Sequence, residues 1–435
     1  MHNTPDTSTR RDFLGKSAAA TAAGSLVLPA SLSAQVEGNS TLKLGLVGCG
    51  GRGSGAANQN LTTQGTKLVA MGDVFRERMD NTFDMLTKRH KDAVEVPEEN
   101  KFIGFDSYLK VIEMSDVVIL ATPPGFRPMM FEAAVEAGKH VFMEKPVCVD
   151  AAGYRRVMAA AKKADEKGLK VVVGLQRHYQ KSYLETLKRV KDGMIGDIVS
   201  AQVWWNGGGV WVRDRQKDDT EMRYQCRNWY YFNWLCGDNI CEQHIHNIDV
   251  ANWFIGGYPT QAQGMGGRQV RNGKDHGEIF DHHFVEFTYD SGAVIASQCR
   301  HQQGCMRRVD ETLQGSQGSV NMRKGLLRDL NGNDMYQYKS DPLNEPNPYQ
   351  VEHDQLFDSI RNGGVIADAE NGAKSTLTAI MGRMATYSGK VITWEQAMNS
   401  NLQMMPESLD WNSKPPTMPD SNGNYAIPTP GITEF

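Results

Sequence analysis

The sequence predicts an α/β chain, with an N-terminal Rossmann domain that binds a dinucleotide and a C-terminal α+β domain. Three observations carry this. Short, almost continuously apolar runs alternate with helical stretches from residue 42 to residue 174. The first run leads directly into Gly48-Cys49-Gly50-Gly51-Arg52-Gly53, and the second ends in an acid, Asp73. Beyond residue 176 the strand-like segments are set apart by turn residues rather than by regular helical crossovers. Near-continuous apolar strands joined by helices form parallel sheets covered on both faces.

In order, Leu42–Val47 is the first strand and Ser54–Leu61 the helix after the glycines. Lys67–Met71 is the second strand, closed by Gly72-Asp73. The GxGxxG spacing, directly after a strand and before a helix, suits a pyrophosphate. Gly48 permits the tight turn, Gly50 and Gly51 let the ligand approach the backbone, and Gly53 allows close helix–strand packing. Free N–H groups at the helix start face the phosphates, with Arg52 among them. Asp73 lies 20 residues past Gly53, where a carboxylate accepts the adenosine ribose hydroxyls. That favours NAD over NADP, whose 2′-phosphate would meet the acid; the nearby cations Arg52 and Arg76 pull the other way.

Ser107–Met114 reads as a helix and Asp116–Ala121 as a buried strand ending in Thr122-Pro123-Pro124. Pro128–Ala137 is the next helix, closed by Gly138, and His140–Met143 a strand running into Glu144-Lys145-Pro146. Ala151–Lys167 is a long helix and Leu169–Gly174 a strand. Ligands of such sheets sit beyond the carboxyl ends of the strands, so Gly48–Gly53, Asp73, Thr122–Pro124 and Glu144–Pro146 are expected to line one crevice.

With 435 residues, 40% hydrophobic and 23% charged, the chain can bury a large core. The net charge of −4 without a basic cluster excludes a nucleic-acid surface. There is no apolar run of ~18 or more residues, hence no spanning helix is expected. Seven cysteines, with no CxxC pair and no zinc spacing, read as buried thiols, although Cys236/Cys241 or Cys299/Cys305 could pair in an oxidising compartment. Residues 1–34 carry Arg10-Arg11-Asp12-Phe13-Leu14, then an Ala-rich apolar stretch and a small-residue exit at Ser33-Ala34. This order predicts a twin-arginine signal peptide and export of the folded chain to the periplasm.

Three stretches together resemble the Gfo/Idh/MocA oxidoreductases, the group of glucose-fructose oxidoreductase and inositol dehydrogenase. They are the glycine loop with Asp73, the segment from Asp116 to Pro146, and Gly237-Asp-Asn-Ile-Cys-Glu-Gln-His-Ile-His-Asn-Ile-Asp249. The resemblance covers residues 42–400. It implies a large, open, mostly antiparallel sheet in the second domain, through which a homo-oligomer would form. It implies that Lys145 points into the site beside the nicotinamide and that Lys145–Pro146 is a cis peptide. It also implies a catalytic set of Lys145, Glu242, His246 and Asp249. Two positions depart from the family pattern: Glu242 stands where Asp is usual, and Asp238 where a second glycine is usual, which puts an extra acid near the site.

The chemistry follows from residue types. Oxidising a secondary alcohol needs a proton acceptor while hydride leaves carbon, and a neutral histidine suits that role. On one helix, Glu242 and His246 would share a face, so the carboxylate could orient the imidazole. Lys145 would stabilise the developing alkoxide. No metal is expected: neither Glu242/His244/His246 nor Asp281-His282-His283 has established ligand spacing.

Ile198–Trp205, Gln261–Met265, Phe280–Tyr289 and Ala293–Gln298 read as strands, Gln355–Arg361 and Gly372–Ser388 as helices. Trp204, Trp205, Trp211, Trp229 and Trp234 cluster within 204–234. They suit either sheet packing or stacking on sugar rings. Trp211, Trp229 and Arg177 are candidate substrate contacts, while Arg213, Arg223 and Arg227 either hold an acid or solvate a loop. The division expected is a signal at 1–34, a Rossmann domain at 40–175, a substrate and oligomerisation domain at 176–400, and a Pro-rich arm or loose end at 401–435. The expected activity is NAD(P)-dependent oxidation of a secondary hydroxyl of a sugar or polyol, on a tightly held nicotinamide. The alternative is NAD-dependent glycoside hydrolysis, a redox-neutral cycle of oxidation, elimination, hydration and reduction. Either takes a small-molecule sugar or glycoside as its partner.

Overall fold

The computed structural model describes residues 40–435; the predicted signal at 1–34 lies outside the described residues. The first sheet grows from β1 (Leu42–Val47), α1 (Gly51–Thr62), β2 (Thr66–Asp73), α2 (Arg76–Arg89), β3 (Lys101–Ile103), α3 (Ser107–Met114), β4 (Val117–Leu120), α4 (Arg127–Glu136), β5 (His140–Met143), α5 (Ala151–Glu166) and β6 (Val171–Val173). Its order is β3-β2-β1-β4-β5-β6, and every pairing is parallel. This is the doubly wound dinucleotide order, with its switch point between β1 and β4. β4 is buried throughout, and β1 and β5 are buried apart from Lys43 and His140, which is why they read as nearly continuous apolar runs. Helix α1 begins three residues earlier than expected, because Ser54 N–H already bonds to Gly50 O at 2.9 Å.

The chain continues through α6 (Lys181–Lys191), β7 (Ile198–Gly207), α7 (Glu221–Arg227), α8 (Asn233–Cys236), α9 (Asp238–Glu242), α10 (Ile245–Ile255), β8 (Pro259–Gly267), β9 (His282–Tyr289), β10 (Val294–His301), β11 (Arg308–Gly315), β12 (Gly318–Asn321), β13 (Leu326–Asp329) and β14 (Asp334–Gln337). It closes with α11 (Pro348–Asn362), α12 (Ala369–Ser388), β15 (Ile392–Thr393) and α13 (Trp394–Asn399). The nine strands run β14-β13-β12-β11-β7-β10-β9-β8-β15, antiparallel except between β7 and β10. The mostly antiparallel sheet is as expected. Helices α2 and α6 and strands β11–β14 are additional to the elements expected from sequence.

Helix α12 is buried along almost its whole length and packs on β8. It approaches closely because Gly264 carries no side chain: a Cβ there would meet Phe284 O at 2.4 Å and Thr386 Cγ2 at 3.1 Å. Helix α11 returns to the first sheet and packs Leu356, Phe357 and Ile360 into the same core as Leu44 and Leu61. The described residues accordingly belong to one compact unit. Residues 401–435 form neither helix nor strand, but they are not a loose end. Met404 N–H bonds to Asp150 Oδ2 (2.8 Å), Gln225 Nε2 to Thr417 O (2.8 Å), Tyr425 OH to Glu221 Oε1 (2.6 Å) and Gly431 N–H to Ser388 O (2.7 Å).

Candidate active site

A crevice of about 1220 Å³ opens at the carboxyl ends of β1, β2, β4 and β5. Its floor is the glycine loop. Gly48 has φ +91°, and a Cβ there would lie 2.6 Å from the Ala121 carbonyl carbon. Gly53 touches the turn itself, since a Cβ would lie 1.8 Å from Gly48 O. Gly50 and Gly51 face open space. Backbone N–H groups at the start of α1 are thus free to receive a pyrophosphate. Asp73, at the end of β2, accepts Cys49 N–H on Oδ2 (2.6 Å) and Phe75 N–H on Oδ1 (2.9 Å). Burial raises its pKa, and these N–H groups counter the rise. The same carboxylate therefore fixes the loop and lines the crevice. The residues fit a dinucleotide: a bare glycine cradle, a helix start and an acid at the ribose position.

Both cations weighed against NAD are engaged elsewhere. Arg52 bonds to Glu144, with Nε at 2.8 Å, and stacks on Tyr349. Arg76 pairs with Asp80 (2.9 Å) and Glu98 (2.6 Å). A third cation, Arg78 of α2, lines the crevice instead and bonds to Arg227 O (3.2 Å).

Thr122, Pro123, Pro124, Glu144 and Lys145 line the same space. The buried Arg127 shapes the end of β4 by donating to the carbonyls of Leu120 and Thr122. Lys145–Pro146 is cis, and Pro146 is not part of the crevice wall, nor is Gly53. Lys145 Nζ bonds to the Glu242 carbonyl and lies 3.2 Å from Glu242 Oε1. Burial raises the Glu242 pKa, and Lys145 opposes the rise. His246 lines the crevice, stacks on Trp205 at 5.8 Å, and leaves Nδ1 without a hydrogen-bond partner. Its pKa is pushed well below the usual imidazole value by burial first, then by Lys145, Arg177 and Arg52.

The expected Glu242–His246 couple does not form. The regular helix is interrupted at Gln243-His244, no hydrogen bond joins Glu242 to His246, and the carboxylate goes to Lys145. Asp249 stands behind the crevice rather than in it. It accepts His178 Nε2 (2.6 Å), Ser375 Oγ (2.7 Å) and Asn371 Nδ2 (3.1 Å). Arg177 is also outside the crevice wall, paired with the buried Glu311. Asp238 does not line the crevice. It is fully buried, accepts Tyr387 OH (2.5 Å) and Phe280 N–H (2.9 Å), and sits at φ +69°, which is why glycine is usual there.

Trp211 and Trp229 both line the crevice, edge to face at 5.9 Å. Arg223 and Arg227 are tied to Asp219 at 3.4 and 3.2 Å; Arg227 and Arg213 line the crevice, Arg213 over Trp211. His244 bonds to Ser297 Oγ (2.8 Å), His282 to Asp281 Oδ1 (2.7 Å), and His283 Nδ1 to Thr386 Oγ1 (2.9 Å), so the two histidine-acid stretches are dispersed. All seven cysteines are free thiols, and only Cys305 is exposed. Sequence reasoning missed Gln243 and Tyr349 in the crevice wall. Tyr349 arrives on α11 from 300 residues away, with no local signal.

Residues 42–174 match the family model described as an oxidoreductase family with an NAD-binding Rossmann fold, and residues 183–321 match the GFO/IDH/MocA C-terminal domain. The chain belongs to the GFO/IDH/MocA oxidoreductase family. It is an enzyme of the NAD-dependent oxidoreductase class. It is 23% identical over 351 residues to inositol 2-dehydrogenase of Rhizobium meliloti, covering 78% of this chain and 94% of that one. It is 35% identical over 260 residues to inositol 2-dehydrogenase of Klebsiella pneumoniae, covering 59% and 66%. Among solved structures it resembles scyllo-inositol dehydrogenase from Lactobacillus casei with bound NAD(H) and scyllo-inositol, at TM-score 0.62 and 21% identity, covering 81% and 99%. Among the described residues, no helix is long and apolar enough to cross a membrane.

Proposed function

We propose that this family member oxidises a secondary hydroxyl of a cyclic polyol or sugar. The carrying observation is that Lys145, held by Glu242, and His246 stand in one crevice with the glycine loop and Asp73. The names of the inositol dehydrogenase relatives support the substrate class. NAD, when bound, supplies the hydride acceptor. Gly48–Gly53 would hold its pyrophosphate and Asp73 its adenosine ribose. Lys145 donates to the substrate oxygen and stabilises negative charge there as the O–H bond breaks. Glu242 fixes the Lys145 ammonium. His246, uncharged at neutral pH, takes the hydroxyl proton on its imidazole. Trp211 and Trp229 offer apolar faces to the ring.

Three further readings belong to this proposal. The cofactor is held tightly: the 401–435 arm lays Trp411 against Phe75 (5.6 Å) and Phe105 (4.7 Å), beside Asp73, and Arg227 reaches Glu77 (3.2 Å) across the crevice. The chain is exported folded, an expectation that rests on Arg10-Arg11 and needs a retained cofactor. It assembles through the large sheet, where Met265 and Phe284 stand exposed as a cross-strand pair and the exposed Val294, opposite Thr288, lies on the same face.

The test is turnover with a panel of cyclic polyols and aldoses, read at the reduced-nicotinamide absorbance band. Lys145→Met and His246→Asn are expected to abolish turnover while NAD still binds. Full activity in both variants removes the site. Release of an aglycone from a glycoside without net NADH would move the assignment to redox-neutral hydrolysis.

A further inference from the structure

A polar chain reaches the crevice from the far edge of β9 and β10. Asp281 accepts the backbone N–H groups of Gln269 (2.6 Å), Val270 (2.6 Å) and Arg271 (3.1 Å) on Oδ2, which fixes the loop that carries Arg271. Arg271 is buried. It donates through Nη1 to Phe280 O (2.7 Å) and through Nη2 to Nδ1 of His301, the last residue of β10. On the other side of the ring, His301 Nε2 lies 2.8 Å from Gln243 Oε1.

The proton count along this chain has one solution. A guanidinium has only donors and does not deprotonate in proteins. Nδ1 of His301 must therefore accept and carries no hydrogen. Burial, followed by Arg271, lowers the His301 pKa to about 3, so the ring is neutral at physiological pH and its proton sits on Nε2. That N–H donates to the Gln243 carbonyl oxygen. The amide is thereby oriented with its oxygen on His301, and Gln243 Nε2 keeps two hydrogens with no protein partner among the described residues. Gln243 lines the crevice one residue after Glu242 and three before His246.

We propose that Gln243 is a substrate-orienting donor of this active site, set by a relay from Arg271 through His301. Its amide nitrogen donates to an oxygen of the polyol other than the one being oxidised. This deepens the reading under Proposed function and rests on it. Because the carbonyl oxygen faces His301, the group left for the pocket is the amide nitrogen, which gives a hydrogen bond and takes none. A hydroxyl, ring or carboxylate oxygen is accepted there, whereas an ammonium, which has no lone pair, is not. His301 is a positioning residue; it touches Gln243 and not the substrate.

Two measurements on the full-length, NAD-loaded protein decide this. Nitrogen-15 NMR of the histidine rings, with His301 assigned by its loss in His301→Gln, is expected to show the Nε2–H tautomer at neutral pH. A ring protonated on Nδ1, or on both nitrogens, overturns the relay. Steady-state kinetics with the best polyol of the panel then reads the role. Gln243→Leu is expected to raise KM about tenfold, one hydrogen bond's worth, with kcat changed much less. His301→Leu is expected to do the same. His301→Gln should restore the wild-type KM, because its Oε1 can accept from Arg271 and its Nε2 can donate to Gln243. An unchanged KM in Gln243→Leu, or equal behaviour of His301→Leu and His301→Gln, overturns the proposal. Wild-type protein that turns over no polyol refutes the proposed function instead, and the relay is then decided by the tautomer.

Discussion

Asp238→Gly restores the residue usual in the family and is nevertheless expected to destabilise this chain. The backbone at φ +69° favours glycine, so the substitution relieves ~1–2 kcal/mol of steric cost. Against that, the carboxylate is fully buried and accepts Tyr387 OH at 2.5 Å and Phe280 N–H at 2.9 Å, with His283 Nε2 3.3 Å away. Hydrogen bonds to a charged group contribute ~1.5–3 kcal/mol each, so two of them outweigh the relief and leave a net loss of about 1–5 kcal/mol. The carboxyl pKa is lowered to about 2; burial works against this, and His283 leads the groups that outweigh it. A lowered folded value contributes stability above the usual carboxylate range, which is lost as pH falls toward 2. The gap between wild type and variant should therefore be full at pH 7 and shrink on acidification below pH ~4. Urea unfolding of the NAD-loaded protein measures it, with steady-state kinetics in parallel. The midpoint should fall while kcat and KM stay within a few-fold. An unchanged midpoint with altered kinetics would refute the reasoning and return Asp238 to the active site.

Three other outcomes follow from the geometry. A base must be neutral to act, so its rate falls as pH drops through its pKa; with the His246 pKa well below the usual value, kcat/KM against pH should show no acidic inflection near ~6.5. A limb at that value would contradict the buried, uncharged imidazole. Asp73→Asn is expected to weaken NAD binding about tenfold or more, because the carboxylate both meets the ribose and holds Cys49 N–H and Phe75 N–H; nicotinamide fluorescence titration reads it, and unchanged affinity would count against the assignment. Trp411→Ala, or a stop after Ser400, should speed NAD loss on dilution by about tenfold, since Trp411 backs Phe75 and Phe105; an unchanged off-rate would remove the arm from cofactor retention.

The Rossmann half was legible because its strands are buried almost throughout, so β1, β4 and β5 carry their burial as composition. Strands β11–β14 were not. In β11 the buried positions include Asp310 and Glu311, and Glu311 is satisfied by Arg177, Tyr183 OH (3.0 Å) and Asn247 Nδ2 (2.6 Å) from elsewhere in the chain. A strand whose inward side chains are acids does not alternate in hydropathy, and its partners lie far off in sequence. The same pairing removed Arg177 from the substrate list. The arm is a parallel case: its prolines announce the lack of regular structure, but the contacts of Trp411 and Tyr425 are tertiary and have no local pattern.

The motif Glu242, His246, Asp249 was legible as a set and misread as a machine. Spacing by four implies one helical face only if the helix is continuous. Here α9 lasts only five residues and the regular helix is interrupted at Gln243-His244 before α10 begins. The break decides the electrostatics. A carboxylate beside His246 would stabilise the imidazolium and raise its pKa. Instead Glu242 faces the Lys145 ammonium, and the neighbours of His246 are that ammonium, two guanidinium groups farther off and the Trp205 ring. Both acids of the motif end up holding a different base, Glu242 on Lys145 and Asp249 on His178. His246 is left uncharged among cationic neighbours with Nδ1 unpaired, so its imidazole can accept a hydroxyl proton without first having to lose one.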